Sequence, residues 1–210
     1  LVSIRETQAM STIQADTPQA TPVAANVAVR QPPAADPRFA RYLALDDFEA
    51  AARRHLPRML YGFISGGAET NAARDGNRDS FQDYAFVPRM LVDVSGRSHG
   101  KMLFGHAYAA PFGIAPMGAA GICAYRSDLV FAQAAAAANV PMILSAASLI
   151  RLEEVRAAGP TAWYQAYLMG DTSRIEPLVD RVAAAGYEVF VLTVDVPVSA
   201  NRENNVRAGF

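Results

Sequence analysis

The chain holds one cysteine, Cys123, which excludes an internal disulfide framework and fits a reducing compartment. With no second cysteine to form a redox pair, Cys123 reads as a small apolar filler. Charge of either sign is not in excess: 19 basic residues face 20 acidic ones, for a net charge of -1. No basic run stands out, so nothing points to nucleic acid. No uninterrupted apolar stretch approaches the roughly 20 residues that cross a membrane. The segment after Leu1 lacks the basic-then-apolar layout of a secretory signal, and Met10 is an internal start candidate. The cytoplasm is therefore the expected location. What remains is ordinary for a globular chain: 210 residues, 51% hydrophobic and 19% charged.

Composition divides the chain. Residues 1–38 are rich in Ala, Pro, Thr, Val and Gln, with Pro18, Pro22, Pro32, Pro33 and Pro37 set against any helix. They read as a disordered leader. Residues 39–110 read as a helical cap and lead-in. Asp46 or Asp47 caps a helix from Glu49 to His55, and Pro57 opens a second, Arg58 to Ile64, which Ser65-Gly66-Gly67 ends. A polar helix over 68–80 leads to Phe81, Tyr84 and Phe86.

From Pro111 strands and helices alternate. Strands are expected at Phe112–Pro116, Pro141–Ser145, Ala162–Tyr167 and Tyr187–Asp195. The helices between them are Asp128–Asn139, capped by Ser127, then Leu152–Ala158 and Ile175–Ala185. Four such repeats, about 25 to 30 residues apart, are the pattern of a parallel α/β protein. The most informative stretch is Val191-Leu192-Thr193-Val194-Asp195-Val196-Pro197, followed by Arg202-Glu203. An apolar run ending in an acid is how a buried parallel strand delivers a carboxylate to a barrel rim. Thr193 and Asp195, two residues apart, would share a face of that strand. A core strand closed by a turn-forming Asp-Val-Pro reads equally well from these residues alone. A complete eight-unit barrel needs about 250 residues, and 111–210 hold four units. Either this is a small four-stranded sheet or the front half of a longer enzyme, and the second is the expectation.

With all four strand ends in view, the chain resembles the FMN-dependent α-hydroxy-acid oxidase and dehydrogenase family, from about Asp46 to Phe210. The resemblance rests on an ordered series. Leu56-Pro57-Arg58-Met59 and Ser65-Gly66-Gly67-Ala68-Glu69 come first, then Pro88-Arg89 and Ile114-Ala115-Pro116. Ser145, Tyr164-Gln165-Ala166-Tyr167, and Leu192-Thr193-Val194-Asp195 with Arg202-Glu203 complete it. It implies a (β/α)8 TIM barrel, with about the first four βα units present at 111–210 behind the cap, and FMN as cofactor.

The resemblance also implies roles. Ala115, Pro116, Met117 and Gly118 lie along the flavin ring through backbone groups; small residues suit close approach to a flat ring. Ser145, Gln165 and Thr193 hydrogen-bond the flavin's polar edge. Tyr167 contacts the substrate or its reacting hydroxyl. Asp195 orients a catalytic histidine, as carboxylates do for general bases. Arg202 meets the substrate carboxylate through its planar fork. The implied partners are a small 2-hydroxy acid, lactate-like, and an electron acceptor: oxygen, a quinone or a cytochrome. A homo-oligomer is implied for the full-length enzyme, as is peripheral membrane attachment in relatives that carry a further segment.

The sequence departs from the family where many members bind substrate with a tyrosine: here stands Phe63, which hints at a more apolar acid. Tyr125-Arg126-Ser127-Asp128 replaces a proline and a Gly-Glu pair, and Asn201 stands where a second arginine is common. The family's catalytic histidine, flavin-contacting lysine, second substrate arginine and phosphate site all belong to strands five to eight. His55, His99 and His106 precede the first barrel strand and read as surface or structural. Two other readings stand beside this one. The first is a catalytically inactive half-barrel, at most an assembly or interaction remnant. The second is another FMN-binding barrel, such as a type 2 isopentenyl diphosphate isomerase or a nucleotide dehydrogenase.

Overall fold

The structure is a computed structural model that describes residues 36–195 and 198–210. The leader expected over 1–38 lies outside the described residues except at its end, where Pro37–Phe39 form a 3-10 turn capped by the Asp36 carboxylate. Three helices follow: α1 (Asp47–His55), α2 (Arg58–Ser65) and α3 (Ala72–Asp79). An antiparallel hairpin, β1 (Lys101–Leu103) and β2 (His106–Tyr108), separates them from the alternating region. That region runs α4 (Ser127–Ala138), β3 (Met142–Ser145), α5 (Leu152–Ala158), β4 (Ala162–Ala166), α6 (Thr172–Ala184), β5 (Phe190–Leu192) and α7 (Glu203–Ala208). No helix among the described residues is long and apolar enough to cross a membrane.

β3, β4 and β5 form one parallel sheet in that order. Register puts Leu144 beside Tyr164 and Ser145 beside Gln165. Because strand side chains alternate, Met142, Leu144, Ala162, Tyr164 and Ala166 share one face. That face packs on Ala132, Ala135, Leu152, Val155, Val182 and Tyr187 to make the core. The Tyr187 hydroxyl donates to the Leu152 carbonyl at 2.8 Å, and burial raises the affinity of this phenol for its proton. Trp163 and Gln165 take the opposite face. Trp163 is held from below by the hairpin: its Nε1–H donates to the Tyr108 hydroxyl at 3.0 Å, and Phe104 meets it edge-on at 5.2 Å. His106 of β2 pairs with Glu188 just before β5, which lowers the proton affinity of that carboxyl.

Four expectations are corrected. Phe112–Pro116 is not a full strand: only Ile114 pairs, in a single parallel bridge to Met142. Pro111 and Pro116 bring no N–H, so the ladder cannot lengthen. The fourth strand is shorter than Tyr187–Asp195, since its partner β4 ends at Ala166 and Thr193 N–H makes one last bond to the Ala166 carbonyl, at 3.1 Å. Thr193 and Asp195 therefore follow the strand rather than lie within it. Ser127 does not cap α4. Arg126 occupies that position in a left-handed conformation (φ 53°), and the buried Ser127 Oγ has no partner among the described residues. α6 begins at Thr172, not Ile175, because Asp171 accepts from Ser173 N–H at 3.1 Å and caps it.

The cap is fastened by α7, which lies directly on α2. A Cβ at Gly62 would stand 2.3 Å from that of Ala208, and one at Gly66 would stand 2.7 Å from that of Asn204. Only hydrogen at both positions allows this approach. The Asn204 carboxamide then donates to Asn71 Oδ1 at 2.6 Å, and Glu69 N–H bonds the Asn201 carbonyl at 2.9 Å.

Candidate functional site

Polar side chains gather at the C-terminal ends of the parallel strands. Gln165, 3% exposed, comes from the last turn of the β4 pleat and donates from Nε2 to Thr193 Oγ1 at 2.7 Å. Ser145, 7% exposed, is its register partner on β3. The backbone binds them further, since Ala146 N–H donates to the Gln165 carbonyl at 2.8 Å. Three residues expected at the flavin's polar edge are thus brought together by adjacent strands.

The segment after Ile114 reaches the same place. A Cβ at Gly118 would lie 3.2 Å from the Ala147 Cβ and 4.0 Å from Ser145 Oγ, and Ala119 N–H donates to the Ala147 carbonyl at 2.9 Å. Ala115, Met117 and Gly118 are exposed along this path and Pro116 is half-buried. An open, small-residue backbone beside buried polar groups fits a flat heteroaromatic ring with a polar rim. Sequence reasoning missed what holds the loop between them: the buried Asp128 carboxylate accepts from Ser148 Oγ at 2.8 Å. Its only sequence signal was the unusual Ser127-Asp128 pair at the start of α4.

Phe63 and Arg202 form a second cluster. The half-buried Arg202 guanidinium sits 4.7 Å over the Phe63 ring, and its Nη2 donates to the carbonyls of Phe63 (3.1 Å) and Gly66 (3.4 Å). Tyr167 stands just past β4, 44% exposed, and Asp195 is exposed beyond β5. No hydrogen bond among the described residues joins these two to either cluster. His55 ends α1, His99 precedes β1 and His106 faces Glu188, so none reaches the strand ends. No group of three or more metal-ligating side chains occurs among the described residues.

A family model for FMN-dependent dehydrogenases matches residues 52–210. The chain belongs to the FMN-dependent α-hydroxy-acid oxidase and dehydrogenase family. Its curated relatives include an L-lactate dehydrogenase of Caulobacter vibrioides, 41% identical over 164 residues, covering 78% of this chain and 43% of the relative. A 4-hydroxymandelate oxidase of Amycolatopsis orientalis is 36% identical over 169 residues, covering 80% of this chain and 47% of the relative. Among solved structures, a mandelate oxidase superposes with a TM-score of 0.76 at 36% identity, over 80% of this chain and 49% of that one. A variant of (S)-mandelate dehydrogenase gives 0.74 at 34%, over 79% and 47%. The chain spans about half the length of the relatives it matches. In this hydroxy-acid oxidase and dehydrogenase family the parallel strands belong to a TIM barrel, and the cofactor is FMN.

Proposed function

We propose that the protein to which these 210 residues belong oxidises an L-2-hydroxy acid to the 2-oxo acid. The Gln165–Thr193 bond, buried beside Ser145 and the open Gly118 backbone, carries this reading. FMN, when bound, takes up the two electrons released as the substrate's Cα–H and O–H bonds give way to a carbonyl. Ala115 to Gly118 present backbone to the ring, while Ser145, Gln165 and Thr193 satisfy its polar edge. Arg202 holds the substrate carboxylate, Phe63 borders it, and Tyr167 meets the hydroxyl. Asp195 orients the histidine that takes a proton, supplied from the barrel strands beyond β5. The substrate is a small acid of the lactate class, and a cytoplasmic setting accompanies the reading.

The 210-residue stretch by itself is expected to be inactive, because the family resemblance assigns the catalytic histidine and the phosphate site to barrel strands beyond β5. The test is the visible spectrum of the purified chain after excess FMN and desalting, with lactate- and mandelate-dependent dye reduction alongside. A colourless, inactive chain and a yellow, active longer product are the expected results. A yellow chain that reduces dye alone sinks the claim of inactivity. A longer product that turns over no hydroxy acid sinks the function.

A further inference from the structure

Phe210 has no part in the roles above, yet its placement is tightly specified. Gly209 closes α7 in the left-handed region (φ 81°). Its N–H bonds the Val206 carbonyl at 3.1 Å, and Phe210 N–H bonds the Asn205 carbonyl at 2.9 Å. These paired bonds reverse the chain at the helix end. The reversal lays the Phe210 ring on Phe63, centroids 4.3 Å apart and planes 15° apart. The Arg202 guanidinium lies 4.7 Å over that same Phe63 ring. Two flat groups this close to one centroid cannot share a face. The order is therefore Phe210, Phe63, Arg202, a three-layer stack that joins α2 to the two ends of α7.

We propose that Phe210 is a positioning residue for carboxylate binding, acting through Phe63 on Arg202. The proposal rests on the function argued above. One Arg202 nitrogen is already engaged with the carbonyls of Phe63 in α2 and of Gly66 just after it, which sets the height of the fork. The Phe63 face sets its plane, since a guanidinium is drawn to the π cloud. A phenyl ring packed on one side only can tilt, and its cation tilts with it. Phe210 removes that freedom before the acid arrives, which lowers the ordering cost of binding. The carboxylate takes no part in bond making, so the grip acts equally on bound substrate and transition state.

The experiment compares Phe210→Leu and Phe210→Tyr in the FMN-loaded holoenzyme, using one 2-hydroxy acid and its uncharged methyl ester. Leucine keeps apolar bulk and loses the flat ring; tyrosine keeps the ring. Phe210→Leu is expected to raise KM for the acid about threefold to tenfold, with kcat within about twofold. It leaves the KM of the ester unchanged, and Phe210→Tyr restores the parent value for the acid. Equal losses for acid and ester, or no loss for either, overturn the proposal and leave the function standing. Turnover of neither compound by the parent holoenzyme overturns the function, and the proposal with it. Phe210→Met gives the same comparison if the leucine variant does not fold.

Discussion

A carboxamide buried at a strand end has two N–H groups and a carbonyl to satisfy, and each one left unpaired costs about 1–3 kcal/mol. Gln165 is in that position, and Thr193 Oγ1 at 2.7 Å accepts one of its protons. Thr193→Val keeps the shape and removes the acceptor. It is expected to destabilise the chain by about 1–3 kcal/mol in urea unfolding, while Thr193→Ser costs less than about 1 kcal/mol. Equal costs for the two variants would mean that methyl packing, not the bond, matters there. Gln165 was legible in the sequence because a polar residue interrupts an apolar run flanked by Trp163 and Tyr167. Arg202 was legible only through the family resemblance, since spacing alone gives a loop charge. Phe210 was invisible: an aromatic after a glycine carries no signal until the turn places it on a residue 147 positions earlier.

Some helices declared their ends well, although α4 and α6 did not. α1 and α2 run close to where Asp46-Asp47, Pro57 and Ser65-Gly66-Gly67 put them, and α5 spans the expected Leu152–Ala158. Strand length depends on a partner, so the first barrel strand shrank to one bridge and the last to Phe190–Leu192. The contact of α2 with α7 was also hidden, although Gly62 and Gly66 stand one helical turn apart. Gly62→Ala places a methyl where the Ala208 Cβ already lies and forces the helices apart. A loss of about 1–3 kcal/mol is expected in thermal or urea unfolding. Ala208→Gly in the same chain is expected to recover part of it by emptying the space. No recovery would show that the cost lies within α2 rather than between the helices.

α5 and α6 are tied on the outside by Glu153 and Arg181, whose Nε meets Oε1 at 2.8 Å. The hydrogen bond from Arg181, the largest cause, lowers the Glu153 pKa to about 2. A carboxyl whose affinity for protons falls on folding stabilises the folded state only while ionised. Its contribution is full above the ordinary value of 4.5 and vanishes as pH falls through about 2. Arg181→Met removes the cause. The stability gap between parent and variant is therefore expected to be constant at neutral pH and to close between pH 4.5 and about 2. Urea midpoints measured across that window check it, and a gap that persists at the acid end contradicts the assignment. Both groups are exposed, so the gap is small.

Among the described residues, the helix-packed sheet is well covered and the lead-in before the hairpin is not. The helix-covered side of the sheet holds the core, whereas the lead-in from Phe81 to Val94 exposes Phe81, Tyr84, Phe86, Val87, Met90 and Leu91 almost completely. Phe104, which meets Trp163, and Phe112 are each 69% exposed. Apolar side chains this exposed and this close in sequence favour association of the stretch with itself. Nothing in the composition foretold it, because 51% hydrophobic residues is an ordinary share and exposure is a property of the fold. Water penalises such a surface, and a net charge of -1 offers little repulsion to keep copies apart. The 210-residue chain is therefore expected to self-associate as its concentration rises, with sedimentation shifting from monomer to larger species. Phe86→Lys and Leu91→Lys together put two like charges on the strip without touching the core. They are expected to hold the chain monomeric to higher concentration at an unchanged melting temperature. Association that is indifferent to both charges would place the sticky surface outside the strip, and Phe112→Lys, at another exposed aromatic, would be the next probe.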